Sequence, residues 1–282
     1  MDFAANKLID VEKVIASKNP RLLKILPKFV INYLKKILHQ EEINKVLYEY
    51  KDTHGLYFVR NILKNFNAKI NVSGLENIPS EGACIVAANH PLGGLDGMAL
   101  MHVVGTIRKD IIFPVNDLLL NLPNLKELFI PINKHGSNVE NINILEEAFL
   151  SDKIILYFPA GLCSRKIKGK IYDLEWKKTF ITKAKQYKRD IIPTYIDGQN
   201  SNFFYKLANL RKTLGIKANI EMLYLVDEMY KQYNKEINIT FGKKIPFFTF
   251  TKDKKDIYWA AYVKNIVYSL SKVEKEFKPI EI

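Results

Sequence analysis

His90 and Asp96 share one glycine-rich turn, Asn89-His90-Pro91-Leu92-Gly93-Gly94-Leu95-Asp96-Gly97, and they are the residues of this 282-residue chain whose types and spacing suit general-base chemistry. An unperturbed imidazole titrates near about 6.5, so at neutral pH it can take a proton from an alcohol as that alcohol attacks a carbonyl carbon. A carboxylate that accepts the ring's other N–H fixes the tautomer and stabilises the imidazolium, and Asp96 is the expected partner. The pair is a dyad without a serine. The tetrahedral oxyanion then needs donors, and backbone amides of the Gly93-Gly94 turn or of the loop at Gly161 are candidates. Cys163 offers a covalent alternative with a thiol nucleophile, but direct transfer needs no acyl-enzyme. The turn supplies one nitrogen ligand and no further His, Cys or carboxylate set, so no metal is expected. The other histidines, His39, His54, His102 and His135, have no comparable context.

The elements that must position this turn are legible around it. Ala83 to Ala88 reads as a buried strand and Met98 to Val104 as an apolar helix, so His90 sits where a strand ends, the place where α/β sheets gather their sites. Strand and helix signals alternate from Ala68 onward: Lys69–Ser73, Ile111–Val115, Phe129–Ile132, a helix over Val139–Leu150, and Ile154–Phe158. A second series has a helix around Trp176–Tyr187, a strand at Ile191–Ile196, helices around Phe203–Leu214, a strand at Ile237–Phe241 and a final helix from Asp256. The expected fold is α/β, a mixed sheet flanked by helices, with an N-terminal helical extension over 1–66 and the catalytic domain over 67–282.

The chain carries 43 Lys and Arg against 30 Asp and Glu, a formal net charge of +13, which predicts attraction to a polyanion. Fifteen Tyr and 16 Phe would supply stacking groups for nucleic acid, yet they sit in apolar, core-like segments with no dense basic motif, so no nucleic acid is expected. Cys84 and Cys163 have no ligand-like spacing and fit a reducing compartment. No apolar run approaches the roughly 20 residues that span a bilayer, and no signal peptide is read at the N-terminus. The stretch from Pro20 to Leu38 mixes Leu, Ile, Phe and Tyr with five basic residues and no acidic one, which suits an anionic membrane surface as well as a packed helix with solvated lysines.

Four blocks in order resemble the glycerophospholipid acyltransferase superfamily, which acylates glycerol phosphate, lysophosphatidate and related lyso-lipids. Asn89-His90 is followed by Asp96 after five intervening residues, where the superfamily has four. Phe129-Ile-Pro131-Ile-Asn133-Lys134 resembles its second block, with Lys134 where Arg is usual. Phe158-Pro159-Ala160-Gly161-Leu-Cys-Ser164-Arg165 resembles its Phe-Pro-Glu-Gly block, with Ala160 in place of Glu. Ile191-Ile192-Pro193-Thr194-Tyr195-Ile196 matches the fourth, and Phe241-Gly242-Lys243-Lys244-Ile245-Pro246 a later strand and turn. The details are similar to a bacterial branch labelled hemolysin-like, the O-acyltransferases that finish ornithine or glycine lipids.

The resemblance implies an O-acyltransferase that moves a fatty acyl group from a thioester to a hydroxyl of a lyso-aminolipid or lysophosphatidate, with His90 and Asp96 catalytic. Asn89, Gly93, Gly94, Lys134, Gly161 and Arg165 are the expected substrate-binding residues. No cofactor is implied beyond acyl carrier protein or coenzyme A as thioester carrier, and the expected setting is the cytoplasmic face of a membrane, bound peripherally. The alternatives are a non-catalytic lipid- or membrane-binding protein on the same fold, a hydrolase if water replaced the alcohol, and, last, a basic nucleic-acid-binding protein.

Overall fold

A computed structural model describes residues 9–115, 119–132 and 139–282. Its N-terminal helices are α1 (Val11–Lys18), α2 (Pro20–Ile25), α3 (Lys28–Ile37), α4 (Gln40–Glu49) and α5 (Gly55–Asn65). Then follow β1 (Lys69–Ser73), β2 (Cys84–Ala88), α6 (Leu95–Ile107), β3 (Ile111–Val115), β4 (Phe129–Pro131), α7 (Val139–Leu150), β5 (Ile154–Tyr157), β6 (Arg165–Ile167) and β7 (Lys170–Tyr172). The chain continues through α8 (Thr179–Gln186), β8 (Asp190–Ile196), α9 (Asn202–Thr213), α10 (Leu225–Tyr230), β9 (Glu236–Phe241), α11 (Asp256–Leu270) and β10 (Lys278–Ile280).

The chain packs as two units, one made of residues up to Asp52 with Asn200–Gln232, the other of Thr53–Gln199 with Tyr233–Ile282. The sequence pattern divides the chain at residue 66; packing divides it differently. Helix α5 belongs with the larger unit because its apolar face, Phe58, Val59, Ile62 and Leu63, is buried and the helix lies against α6.

The larger unit holds an eight-stranded sheet in the order β10-β1-β9-β8-β2-β5-β3-β4. Strands β8, β2, β5, β3 and β4 are parallel neighbours, β9 is antiparallel to β8 and parallel to β1, and β10 closes the edge antiparallel to β1. The fold is therefore the mixed sheet with flanking helices that the sequence predicts. Every residue of β2 (CIVAA), β3 (IIFPV) and β5 (IILY) is buried, the continuous apolar pattern of strands covered on both faces. Ile85, Ala87, Ile155, Tyr157 and Ile191 face a core completed by α7, α8 and α11. Helix α6 packs on β3 and β9 instead. The β6–β7 hairpin and β10 are not anticipated by the sequence reading.

Arg189, fully buried just before β8, binds the opposite end of the strands from the His90 turn. Its guanidinium donates to the carbonyls of Ala148 (3.0 Å) and Phe149 (2.9 Å), in the last turn of α7, and to those of Ser151, Lys153 (2.7 Å) and Cys84 (3.4 Å). Five donors thus satisfy carbonyls that a helix end and two strand starts would otherwise bury unpaired.

In the smaller unit, α1 is tied to α4 by side-chain amides: Gln40 Oε1 accepts from the Val11 amide at 2.9 Å and Asn44 Oδ1 from the Ile9 amide at 2.9 Å. Tyr33 and Tyr224 share a hydroxyl hydrogen bond of 2.9 Å, and His39 Nε2 lies 3.1 Å from Asp227 with its ring stacked on Tyr230. The segment from Pro20 to Leu38 breaks at Pro27, whose extended backbone ends α2 and caps α3. No helix of the described residues is long and apolar enough to cross a membrane.

Candidate active site at the ends of parallel strands

Because β5, β2 and β8 run parallel, their carboxyl ends lie along one edge, and that edge carries the His90 turn after β2, Phe158 after β5 and Asp197 after β8. The turn is built around the Asp96 carboxylate. Asp96 Oδ2 accepts from the Leu92 amide at 2.8 Å and the Gly93 amide at 3.3 Å, and Oδ1 accepts from the Gly97 amide at 2.8 Å. The residue lies in the first turn of α6, where the helix dipole favours a negative charge. Gly93 takes φ of +91°, a backbone conformation glycine supplies without a Cβ clash.

His90 Nδ1 is 3.0 Å from Asp96 Oδ2. The His90 side chain is 15% exposed and that of Asp96 0%. Burial works against the imidazolium, but the charge and hydrogen bond of Asp96, with Asp173 adding to them, outweigh it and hold the His90 pKa above its ordinary value. Burial likewise opposes ionisation of Asp96, and the charge and hydrogen bond of His90 with the Leu92 and Gly97 amides hold its pKa below the usual carboxylate range. The two directions describe one hydrogen-bonded ion pair whenever the ring is protonated. With Nδ1 occupied as donor, Nε2 is the nitrogen that can take a proton.

One face of the imidazole is covered by Phe158, stacked at 4.1 Å between centroids and inclined by 20°. A Cβ at Gly97 would crowd Phe113 at 3.3 Å and lie in ordinary contact with Phe158 at 3.6 Å. Behind the ring, the His90 amide donates to Asp173 Oδ1 at 3.2 Å, and the His90 carbonyl accepts from the Ser164 amide at 2.7 Å. Neither Asp173 nor Ser164 was singled out by sequence. Ser164 sits in the third block, where its spacing was a visible signal; Asp173 follows a lysine-rich hairpin and had none.

Other expected residues are placed as follows. Asn89 is buried, and its side chain bridges to β8 by donating to the Ile196 carbonyl at 2.8 Å and accepting from the Ile196 amide at 2.7 Å. Its side-chain amide extends the β2–β8 ladder by one rung. The Gly93 amide donates to Asp96 Oδ2 at 3.3 Å. Gly94 caps α6, its carbonyl accepting from the Met98 amide at 3.3 Å. Gly161, at φ +65°, is exposed and its amide closes a turn on the Phe158 carbonyl at 3.0 Å. Arg165, expected to meet an anionic group, is buried and donates to the Cys163 carbonyl at 2.6 Å and to Cys163 Sγ at 3.3 Å. It braces its own loop. Lys134 lies outside the described residues, as does His135. Ala160 is 5% exposed and belongs to the apolar cluster with Tyr157, Trp176 and Phe180, so the position where the family carries Glu faces the core. Burial pushes the Cys163 thiol up to about 12, which leaves it protonated and unsuited to nucleophilic attack.

Among the described residues no serine or cysteine side chain hydrogen-bonds the His90 ring. A histidine held by a buried carboxylate thus stands at the carboxyl ends of the parallel strands β5, β2 and β8. The chain belongs to the acyltransferase family, whose model, described as "Acyltransferase", matches residues 13–269. It is 51% identical over 265 residues to the lyso-glycine lipid O-acyltransferase of Bacteroides thetaiotaomicron, covering 93% of this chain and 97% of that protein. It is 48% identical over 265 residues to the protein of the same name from Phocaeicola vulgatus, covering 93% and 95%. The 1-acyl-sn-glycerophosphate (LPA) acyltransferase of Thermotoga maritima superposes with a TM-score of 0.47 at 16% identity, covering 88% of this chain and 99% of that one.

Proposed function

We propose that this chain is a lyso-glycine lipid O-acyltransferase in which His90 is the general base and Asp96 its partner. The observation that carries the chemistry is the 3.0 Å contact between His90 Nδ1 and Asp96 Oδ2 at the strand edge, which leaves Nε2 for the acceptor. The acceptor is argued from the two relatives, each matched along nearly its whole length. In the step, the hydroxyl oxygen of the lyso-lipid bonds to the thioester carbonyl carbon while its proton passes to His90 Nε2. The tetrahedral intermediate collapses, the carbon–sulfur bond breaks, and the leaving thiolate takes the proton back from the imidazolium. Asp96 stabilises that imidazolium and stays ionised throughout.

The reading includes docking on an anionic membrane surface through α2 and α3. Ile25 and Phe29 are 76% and 73% exposed, and Lys24 and Lys28 flank them on neighbouring positions. Large apolar side chains between lysines suit insertion at a headgroup boundary.

The test is turnover by the purified protein on vesicles carrying a lyso-glycine lipid, with acyl carrier protein and coenzyme A thioesters offered separately. Formation of the diacylated lipid that is lost in His90→Ala supports the reading and identifies the donor. Equal product from His90→Ala overturns the base assignment, and product from lysophosphatidate alone overturns the acceptor. Vesicle binding without turnover by either protein leaves a non-catalytic lipid-binding protein.

A further inference from the structure

The carboxylate of Asp173 is buried directly behind His90 and is used entirely within the protein. Its Oδ1 accepts from the His90 amide at 3.2 Å and from the Ser164 hydroxyl at 2.6 Å, and its Oδ2 accepts from the Trp176 indole at 2.8 Å. Ser164 in turn donates its own amide to the His90 carbonyl at 2.7 Å. Both peptide groups that flank the His90 Cα are therefore tied to one Asp173–Ser164 pair. Helix α11 holds the pair from the far side: the Asp173 amide donates to Tyr268 Oη at 2.7 Å, and Lys264 Nζ donates to the carbonyls of Asp173 (2.7 Å) and Leu174 (2.8 Å).

We infer that Asp173 is the positioning residue of the His90 base, fixing its main chain through its own carboxylate and through Ser164 while Asp96 fixes the ring. The inference rests on the assignment of His90 as base. A side chain clamped only at Nδ1 could still carry the ring off line by a shift of its Cα. A clamp on both neighbouring peptides removes that freedom, and the ring then has a single approach to a hydroxyl held at Nε2. Positional error of about 1 Å at a reacting group costs on the order of 100-fold in rate. Three neutral donors converge on this carboxylate from the turn after β2, the loop before β6 and the segment before α8, so it joins three stretches of chain at one point, two of them also linked by the Ser164 amide on the His90 carbonyl.

The experiment compares Asp173→Ala, Asp173→Asn and Ser164→Ala with wild type, reading kcat and KM for the lyso-lipid on folded protein checked by circular dichroism. Asn retains an oxygen for the His90 amide, whereas Ala does not. The expected result is a kcat about 100-fold lower in Asp173→Ala, a partial recovery in Asp173→Asn, a loss of about 3- to 10-fold in Ser164→Ala, and KM within about twofold throughout. Should Asp173→Ala not fold, the other two variants decide, since each keeps the Ser164 amide on the His90 carbonyl and an oxygen for the His90 amide while weakening the Asp173–Ser164 pairing that holds them. Wild-type kcat in the folded variants, or a change confined to KM, overturns the inference. An active His90→Ala would instead sink the base assignment on which it stands; an inactive His90→Ala beside fully active Asp173 variants removes this inference alone.

Discussion

Phe158 lies face to face with the His90 imidazole, 4.1 Å between centroids, and is itself set edge-on against Phe113 at 5.2 Å. The stacked ring makes one side of the imidazole apolar and closed. Removing that wall in Phe158→Ala should lower kcat about 2- to 10-fold with little change in fold, given the roughly 0.5–1.5 kcal/mol such aromatic pairs contribute beyond area. Steady-state kinetics beside a thermal melt check this; unchanged kcat would show the ring's face to be irrelevant.

The pair of His90 and Asp96 fixes the sign of a pH effect. A general base works when neutral, so activity should rise with pH through the His90 pKa, which lies above the ordinary imidazole value. Asp96→Asn removes the charge that favours the imidazolium. The acid limb of kcat/KM should move to lower pH while the plateau falls by about 10²- to 10⁴-fold. A limb that stays in place would assign the partner role elsewhere.

Gly198, after β8, closes on Leu92 of the His90 turn. A Cβ there would meet Leu92 Cγ and Cδ2 at 2.9 Å, and Leu92 is buried with nowhere to move. Gly198→Ala should therefore destabilise by about 1–3 kcal/mol and lower turnover by displacing the turn. Denaturant unfolding with an activity assay measures both; a neutral outcome on the two would mean the loop yields freely.

Ala160 stands where the superfamily's third block has Glu, and in this chain it is buried in the apolar cluster that also holds Trp176, Phe180 and Tyr157. Ala160→Glu should not improve activity. It should lower the melting temperature through a loss of about 3 kcal/mol, because a carboxyl would be desolvated among apolar side chains without a partner.

The exposed pair Ile25 and Phe29 gives a membrane prediction independent of turnover. Replacing both by Ser should weaken flotation with anionic vesicles more than tenfold, each large side chain contributing roughly 1.5–3 kcal/mol when it leaves water. Raising salt should weaken the wild type as well, by screening the neighbouring lysines. Equal flotation of wild type and double variant would place the contact elsewhere.

The strands that carry the site were legible because they are buried on both faces: CIVAA, IIFPV and IILY read as apolar runs wherever they occur. The β6–β7 hairpin was not, since three residues per strand in a lysine-rich stretch leave no period to detect. The grouping of Asn200–Gln232 with the N-terminal helices depends on contacts such as Tyr33 with Tyr224, 191 residues apart, which local pattern does not encode. His39 looked contextless for the same reason, its partner Asp227 being 188 residues away. Within the site, His90 and Asp96 were readable because they are six residues apart on one turn. The carbonyls met by Asn89 and Arg165 were not legible, because a polar side chain in a motif looks the same in sequence whichever neighbour it reaches. Asp173, 83 residues from His90, had only its acidity to show.

Arg189 gives the sheet two ends with different tolerances. At its own end one cation gathers the carbonyls of α7, β2 and the approach to β5, so any shortening or lengthening there would strand several of them at once. The far end is joined turn by turn, through pairs such as Asn89 with Ile196 and Asp173 with Ser164, with no single group holding all of it. Variation in what the protein acylates can therefore accumulate at the His90 edge while strand register is held from behind, and a change of lipid preference need not begin with a loss of fold.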